Sequence, residues 1–75
     1  MDAAQFQEIA GKHAGFVYNV AYRMMGNPHD AEEVAQDAFL SAWKARDRFR
    51  GDAQPSTWLY RITVNAALMR LRKDK

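Results

Sequence analysis

Apolar residues recur at three- and four-residue steps along almost the whole chain, and the pattern breaks in only two places, at Gly26-Asn27-Pro28 and between Arg46 and Ser56. That period belongs to an α-helix, and no stretch alternates for long enough to argue for a strand. The 75 residues have room for one domain. The expected fold is therefore all-α: three helices around one small core, with an ordered basic and aromatic loop between the second and third. A chain of this length buries only about 60% of its unfolded surface, which leaves little interior for a deep catalytic cavity.

The first helix is expected from about Ala3 to Met25, with Phe6, Ile9, Ala10, His13, Val17, Val20, Ala21 and Met24 on its core face. Gly26 suits the left-handed residue after a helix, and Pro28 cannot continue one. The second helix starts between Pro28 and Asp30. Two caps fit: Asn27 ahead of Pro28, or Asp30 facing Glu33 as a carboxylate variant of the capping box. Asp30, Glu32 and Glu33 crowd the first turn, where the helix dipole favours them, while Lys44 and Arg46 stand at the other end. Ala31, Val34, Ala35, Ala38 and Ala42 form a small-residue stripe that lets a neighbour approach closely, flanked by Phe39 and Trp43.

The third helix starts between Ala53 and Ser56 and runs to about Arg72; Pro55 is tolerated because first-turn amides have no intrahelical partner. Leu59, Ile62, Ala66 and Met69 make its expected core stripe. The adjoining stripe of Trp58, Arg61, Asn65, Leu68 and Arg72 mixes an aromatic, cations and an amide, which is the chemistry of a nucleic-acid surface. Asn65 is notable because a helix interior disfavours asparagine.

Charge is polarised along the chain. Residues 1–45 carry three cations against six anions, and residues 46–75 carry eight against three, within a net charge of +2. A polyanion is drawn to the second half, and the acidic cluster around Glu33 is left free for another partner. The segment from Arg46 to Trp58 offers guanidinium groups to phosphates, a ring to a base and, at Gly51, a place for backbone to come close.

Several classes are excluded on composition. There is no cysteine, hence no disulfide, thiolate nucleophile or cysteine-based zinc site. His13 reads as a core-edge residue and His29 as a surface loop residue, neither with a paired ligand pattern, so no metal or other cofactor is expected. No nucleophile, base and oxyanion donor group together, so an enzyme is not expected. No leader pattern or membrane-length apolar run is present, which leads to an expectation of a soluble, cytoplasmic protein with no membrane partner.

Three segments together carry a resemblance. Asp30-Ala31-Glu32-Glu33-Val34-Ala35-Gln36-Asp37-Ala38-Phe39-Leu40, then Trp43-Lys44-Ala45 with Asp47-Arg48-Phe49-Arg50-Gly51-Asp52, and Thr57-Trp58-Leu59-Tyr60-Arg61-Ile62-Thr63-Val64-Asn65-Ala66 closely resemble region 2 of bacterial sigma factors of the extracytoplasmic-function (ECF) group, over roughly residues 6 to 72. The order and spacing of three segments make this far more specific than a lone motif. The resemblance implies a domain, residues 1–75, that joins the RNA polymerase core and recognises the promoter minus-ten element as its non-template strand separates.

In that family the second helix docks on the clamp helices of the largest polymerase subunit; the matching positions are Glu33, Gln36, Asp37 and Leu40. The loop holds a base turned out of the stack, a role that falls to Phe49 and Gly51, with hydrogen bonds expected from Asp47, Arg48, Asn65 and the loop amides. Arg50, Arg61, Arg72 and Lys73 would hold phosphates, and Asp52, Thr57 and Trp58 complete the expected DNA-contact set. An anti-sigma factor is a further partner that the resemblance admits. The chain departs from the family at Gln54-Pro55-Ser56, where relatives often place another aromatic or basic residue, and at Met69, where many carry a polar or acidic one. Region 4, the minus-thirty-five module, does not follow Lys75, so the chain reads as a domain cut from a longer one.

Plainer readings stand beside each feature. Taken alone, Phe39, Trp43 and Trp58 are core packing, Glu32, Glu33 and Asp37 a solvated helix start, and Arg48 to Asp52 an ordinary polar turn. Two rival functions follow: a helix-turn-helix-like binder of duplex DNA, which the aromatic-rich start of the third helix argues against, and a helical protein-interaction module without nucleic-acid binding.

Overall fold

The computed structural model describes residues 1–49, 51 and 53–73. Arg50 and Asp52, both expected at the DNA, lie outside the described residues. Three helices form: α1 (Ala3–Met25), α2 (Pro28–Lys44) and α3 (Pro55–Lys73), with a single 3-10 turn at Arg46–Arg48 and no strand among the described residues. Each helix packs on both others, within an envelope of 36 × 20 × 18 Å.

Local chemistry explains the helix ends. Asp2 caps α1 through a capping box: its carboxylate accepts from the Gln5 amide at 2.8 Å, and the Gln5 side chain accepts from the Asp2 amide at 3.3 Å. Gly26 ends α1 at φ 81°, a left-handed conformation that glycine adopts without a Cβ penalty, and its amide donates to the Tyr22 carbonyl at 2.8 Å. Of the two caps open to α2, Asn27 is used; its Oδ1 accepts from the Asp30 amide at 2.9 Å. The first bond of α3 runs from the Trp58 amide to the Gln54 carbonyl at 3.1 Å, which puts Pro55 where a missing N–H loses nothing.

The core is built largely of small residues. Phe6, Val17, Ala38, Ala42 and Leu59 form one buried cluster, and Ala21, Ala31, Val34 and Ala67 a second beside it. The α2 alanines carry no bulk beyond Cβ, so α1 and α3 approach closely and Leu59, Val17 and Val34 are fully enclosed. The expected α1 face is the observed one: Phe6, Val17 and Ala21 are buried, and Ile9, Ala10, His13, Val20 and Met24 half-buried. His13 lies at that edge, its Nδ1 2.9 Å from the Ile9 carbonyl, which selects the tautomer that donates from Nδ1.

The third helix differs from expectation. Its buried residues are Leu59, Thr63 and Ala67, whereas Met69 is 68% exposed. Thr63 is polar, yet its hydroxyl donates to the Leu59 carbonyl at 2.7 Å and is buried satisfied. Arg70, one residue beyond Met69 and so about 100° around the helix, takes the place facing α2, and Met69 is turned out. His29 differs as well: it is an exposed residue of the first turn of α2 rather than of a loop.

Candidate nucleic-acid interface and partner face

The loop after α2 begins by folding back. The Arg48 amide donates to the Ala45 carbonyl at 2.8 Å, closing the 3-10 turn, and Arg46 lies over Trp43 with its guanidinium carbon 3.6 Å from the ring centroid. An Arg46 N–H also donates to the Trp43 carbonyl at 2.8 Å, so this cation is held within its own turn. Trp43 in turn meets Phe6 edge-on, centroids 5.2 Å apart, which ties the start of the loop to the first turns of α1. Asp47, 81% exposed, stands 3.9 Å from the Met1 amine.

Phe49 is half-buried and packs on Trp58, with centroids 4.8 Å apart and ring planes at 40°. Trp58 is itself packed on the core, so the pair pins the loop to the start of α3. Gly51 is exposed at φ 77°, a conformation that a side chain would strain although nothing lies within 4 Å of its Cβ position.

On α3, Thr57, Arg61, Asn65 and Arg72 follow one another at helical steps and are all exposed, which places them on one face beside the Phe49–Trp58 pair. Lys73 is on a different side. It joins Asp37, Leu40, Lys44, Ala66 and Met69 around a groove of about 340 Å³ between α2 and α3. Asp37, Leu40 and Gln36 are exposed on α2, with Leu40 at 59%.

Glu33 has a different environment from the other three residues matched to the polymerase contact. Arg70 of α3 pairs with the Glu33 carboxylate and lies 3.5 Å from that of Asp30, and His29 Nε2 is 2.9 Å from Glu33. The acidic cluster that appeared free in sequence is therefore largely committed to a clamp between α2 and α3. Asp30 also accepts from the Asn27 side-chain amide at 2.9 Å; this bond, and then Arg70, hold its carboxyl below the ordinary aspartate range despite some desolvation. His29, Asp30 and Glu33 bring three metal-ligating side chains within 4.8 Å, a grouping invisible in the spacing of the histidines. The Arg70 guanidinium already pairs with both carboxylates, so it competes with any cation there.

The placement of three residues is hidden in the sequence. Arg70 was counted as one more cation, although an acidic first turn on one helix and an arginine on the next are the material of an interhelical pair. Gln5 and Glu8 of α1 lie some forty residues from the loop in sequence, yet they line a pocket of about 260 Å³ whose other walls are Met1, Ile9 and Phe49. The Phe6 to Trp43 contact and the approach of the Met1 amine to Asp47 bring those segments together.

Helix order, the exposed α3 face and the aromatic-pinned loop define an all-α three-helix module with a polar and cationic face. Residues 9–75 match the Sigma-70 region 2 family model, and the chain belongs to that family. It is 42% identical over 74 residues to the ECF RNA polymerase sigma factor SigW of Bacillus subtilis, covering 99% of this chain and 40% of the relative. It is 39% identical over 74 residues to the ECF sigma factor SigM of Mycobacterium tuberculosis, 99% of this chain and 38% of that protein. Identity to the ECF sigma factor SigE of Mycolicibacterium smegmatis is 38% over 71 residues, 91% of this chain and 26% of the relative. The chain thus spans two fifths or less of the length of these curated relatives.

Proposed function

We propose that this chain is the ECF sigma region 2 module that joins core RNA polymerase and recognises the promoter minus-ten element through its separated non-template strand. The observation that carries the reading is the exposed face of Thr57, Arg61, Asn65 and Arg72 running up to the Phe49–Trp58 pair. Cations on that face hold phosphates, an amide reads a base edge, and a ring receives a base. Unstacking a base costs a few kcal/mol and stacking on a ring returns about 1–3 kcal/mol, so the loop roughly balances base extrusion and leaves selectivity to hydrogen bonds.

Core polymerase is the partner assigned to the α2 side. Gln36, Asp37 and Leu40 offer an amide, a carboxylate and an apolar anchor on one exposed face, as a partly polar interface requires. The module acts by binding, with bond making left to the polymerase and the cytoplasm as its setting. No described helix is long and apolar enough to cross a membrane.

Fluorescence anisotropy with labelled single-stranded and duplex minus-ten oligonucleotides tests the DNA half. The expected result is preference for the single strand, with a logarithmic salt slope near −2 for about three neutralised phosphates. Asn65→Ala and Phe49→Ala are each expected to weaken recognition with the fold intact, and unchanged binding by both removes the assignment. Capture of core polymerase by the Asp37→Arg variant tests the other half; normal assembly excludes α2 from docking.

A further inference from the structure

The pocket between the first two turns of α1 and Phe49 has the features of a base seat. Its volume is about 260 Å³, its walls include Met1, Ile9 and Phe49, and Gln5 and Glu8 bring polar side chains to it beside the Met1 amine. One side of Phe49 is occupied by Trp58, so a base stacking on Phe49 without displacing that pair has to use another side. The pocket lies along one such side. Its position is set by packing: Ile9 belongs to the core cluster, Phe6 meets Trp43, and Arg46 covers Trp43 at the start of the turn that leads to Phe49.

We infer that Glu8, with Gln5, reads the edge of the extruded base seated against Phe49, and selects a base bearing an exocyclic amine. This rests on the single-strand reading above and assigns it two specificity residues from α1. A carboxylate only accepts hydrogen bonds, so Glu8 matches the amine of cytosine, adenine or guanine. Thymine presents one imide N–H flanked by two carbonyl oxygens, which the carboxylate repels. Gln5 spends its side-chain oxygen on the Asp2 amide, which leaves its NH₂ to donate to a ring nitrogen or carbonyl beside the amine.

The test is selection of strands from a randomised single-stranded 12-mer pool at low salt by the wild-type chain and by Glu8→Gln and Gln5→Glu, followed by sequencing of the bound fraction. Glu8 is exposed and glutamate also completes a capping box, so both variants keep the fold, checked by circular dichroism. Glu8→Gln removes a negative charge and is expected to raise overall affinity, so the readout is base preference. The wild type is expected to deplete thymine at one position by about tenfold, and Glu8→Gln to abolish most of that depletion, with Gln5→Glu shifting the preference among the amine-bearing bases. A base profile unchanged in Glu8→Gln, with strand binding intact, overturns the inference alone. Absence of any strand retention by the wild type overturns the single-strand reading and the inference with it.

Discussion

Phe49 packs against Trp58 with ring centroids 4.8 Å apart, so the ring expected to receive a base is already held by the third helix. Trp58 continues into the core while Phe49 forms a pocket wall, and the two substitutions should therefore differ. Trp58→Ala is expected to lower stability by about 2 kcal/mol, scaled down from a fully buried tryptophan, and the melting temperature of a domain this size by roughly 8–16 °C. Phe49→Ala should lower stability by about 1 kcal/mol while reducing single-strand affinity at least as much. Thermal melts beside strand titrations check this; equal stability losses would mean Phe49 is a core residue rather than a recognition one.

Arg70 joins α3 to Asp30 and Glu33 of α2 at a site where its side chain is only 27% exposed. Its Nε is buried without a partner, so the clamp holds one unsatisfied donor and Arg70→Met is a fair isostere. A loss of about 1 kcal/mol is expected, discounted for the partial exposure of all three groups. Urea denaturation at low and high salt should show the wild type losing part of its advantage as salt rises, and Arg70→Met should not show this.

Acid stability follows from Asp30. Its carboxyl titrates lower in the folded chain than the ordinary value of 3.8, chiefly because Asn27 donates to it. Above the unfolded value both states are ionised and the contribution is full; as pH falls through that value the unfolded chain takes up the proton first, and the contribution is gone below the folded value. Denaturation followed from pH 6 downward is therefore expected to show a steeper acid limb in the wild type than in Asp30→Asn. Parallel limbs would show that Asp30 is not linked to folding.

The face that α3 buries is open to a direct contrast. Met69→Gln, at an exposed position, should change stability by less than about 0.5 kcal/mol. Leu59→Ala empties a fully buried site and should remove about 2–5 kcal/mol, enough to unfold much of a domain this small. Chemical denaturation of both variants checks which stripe faces inward.

Features with local causes were legible in the residues. The end of α1 and the start of α2 follow from Gly26, Asn27 and Pro28, because a left-handed residue, a side-chain cap and a missing N–H act within one turn. The start of α3 at Pro55 follows for the same reason. The three segments that carry the family likeness were readable because their spacing is a property of sequence, and the match over residues 9–75 agrees with them.

What depends on rotation and on distant partners was not legible. Periodicity gives a helix face only to within about one residue, or 100°, and Thr63 was disguised by a hydroxyl that the Leu59 carbonyl satisfies. Thus only packing decided that Thr63 and Ala67 go in and Met69 out. Arg70 found its carboxylates, and Glu8 its place near Phe49, across some forty residues of chain. The sequence by itself determined the three helices, the breaks between them and the family. Tertiary structure decided which charges are spent inside the fold and which stay on its surface, because that is set by how helices rotate to bury a core of alanines.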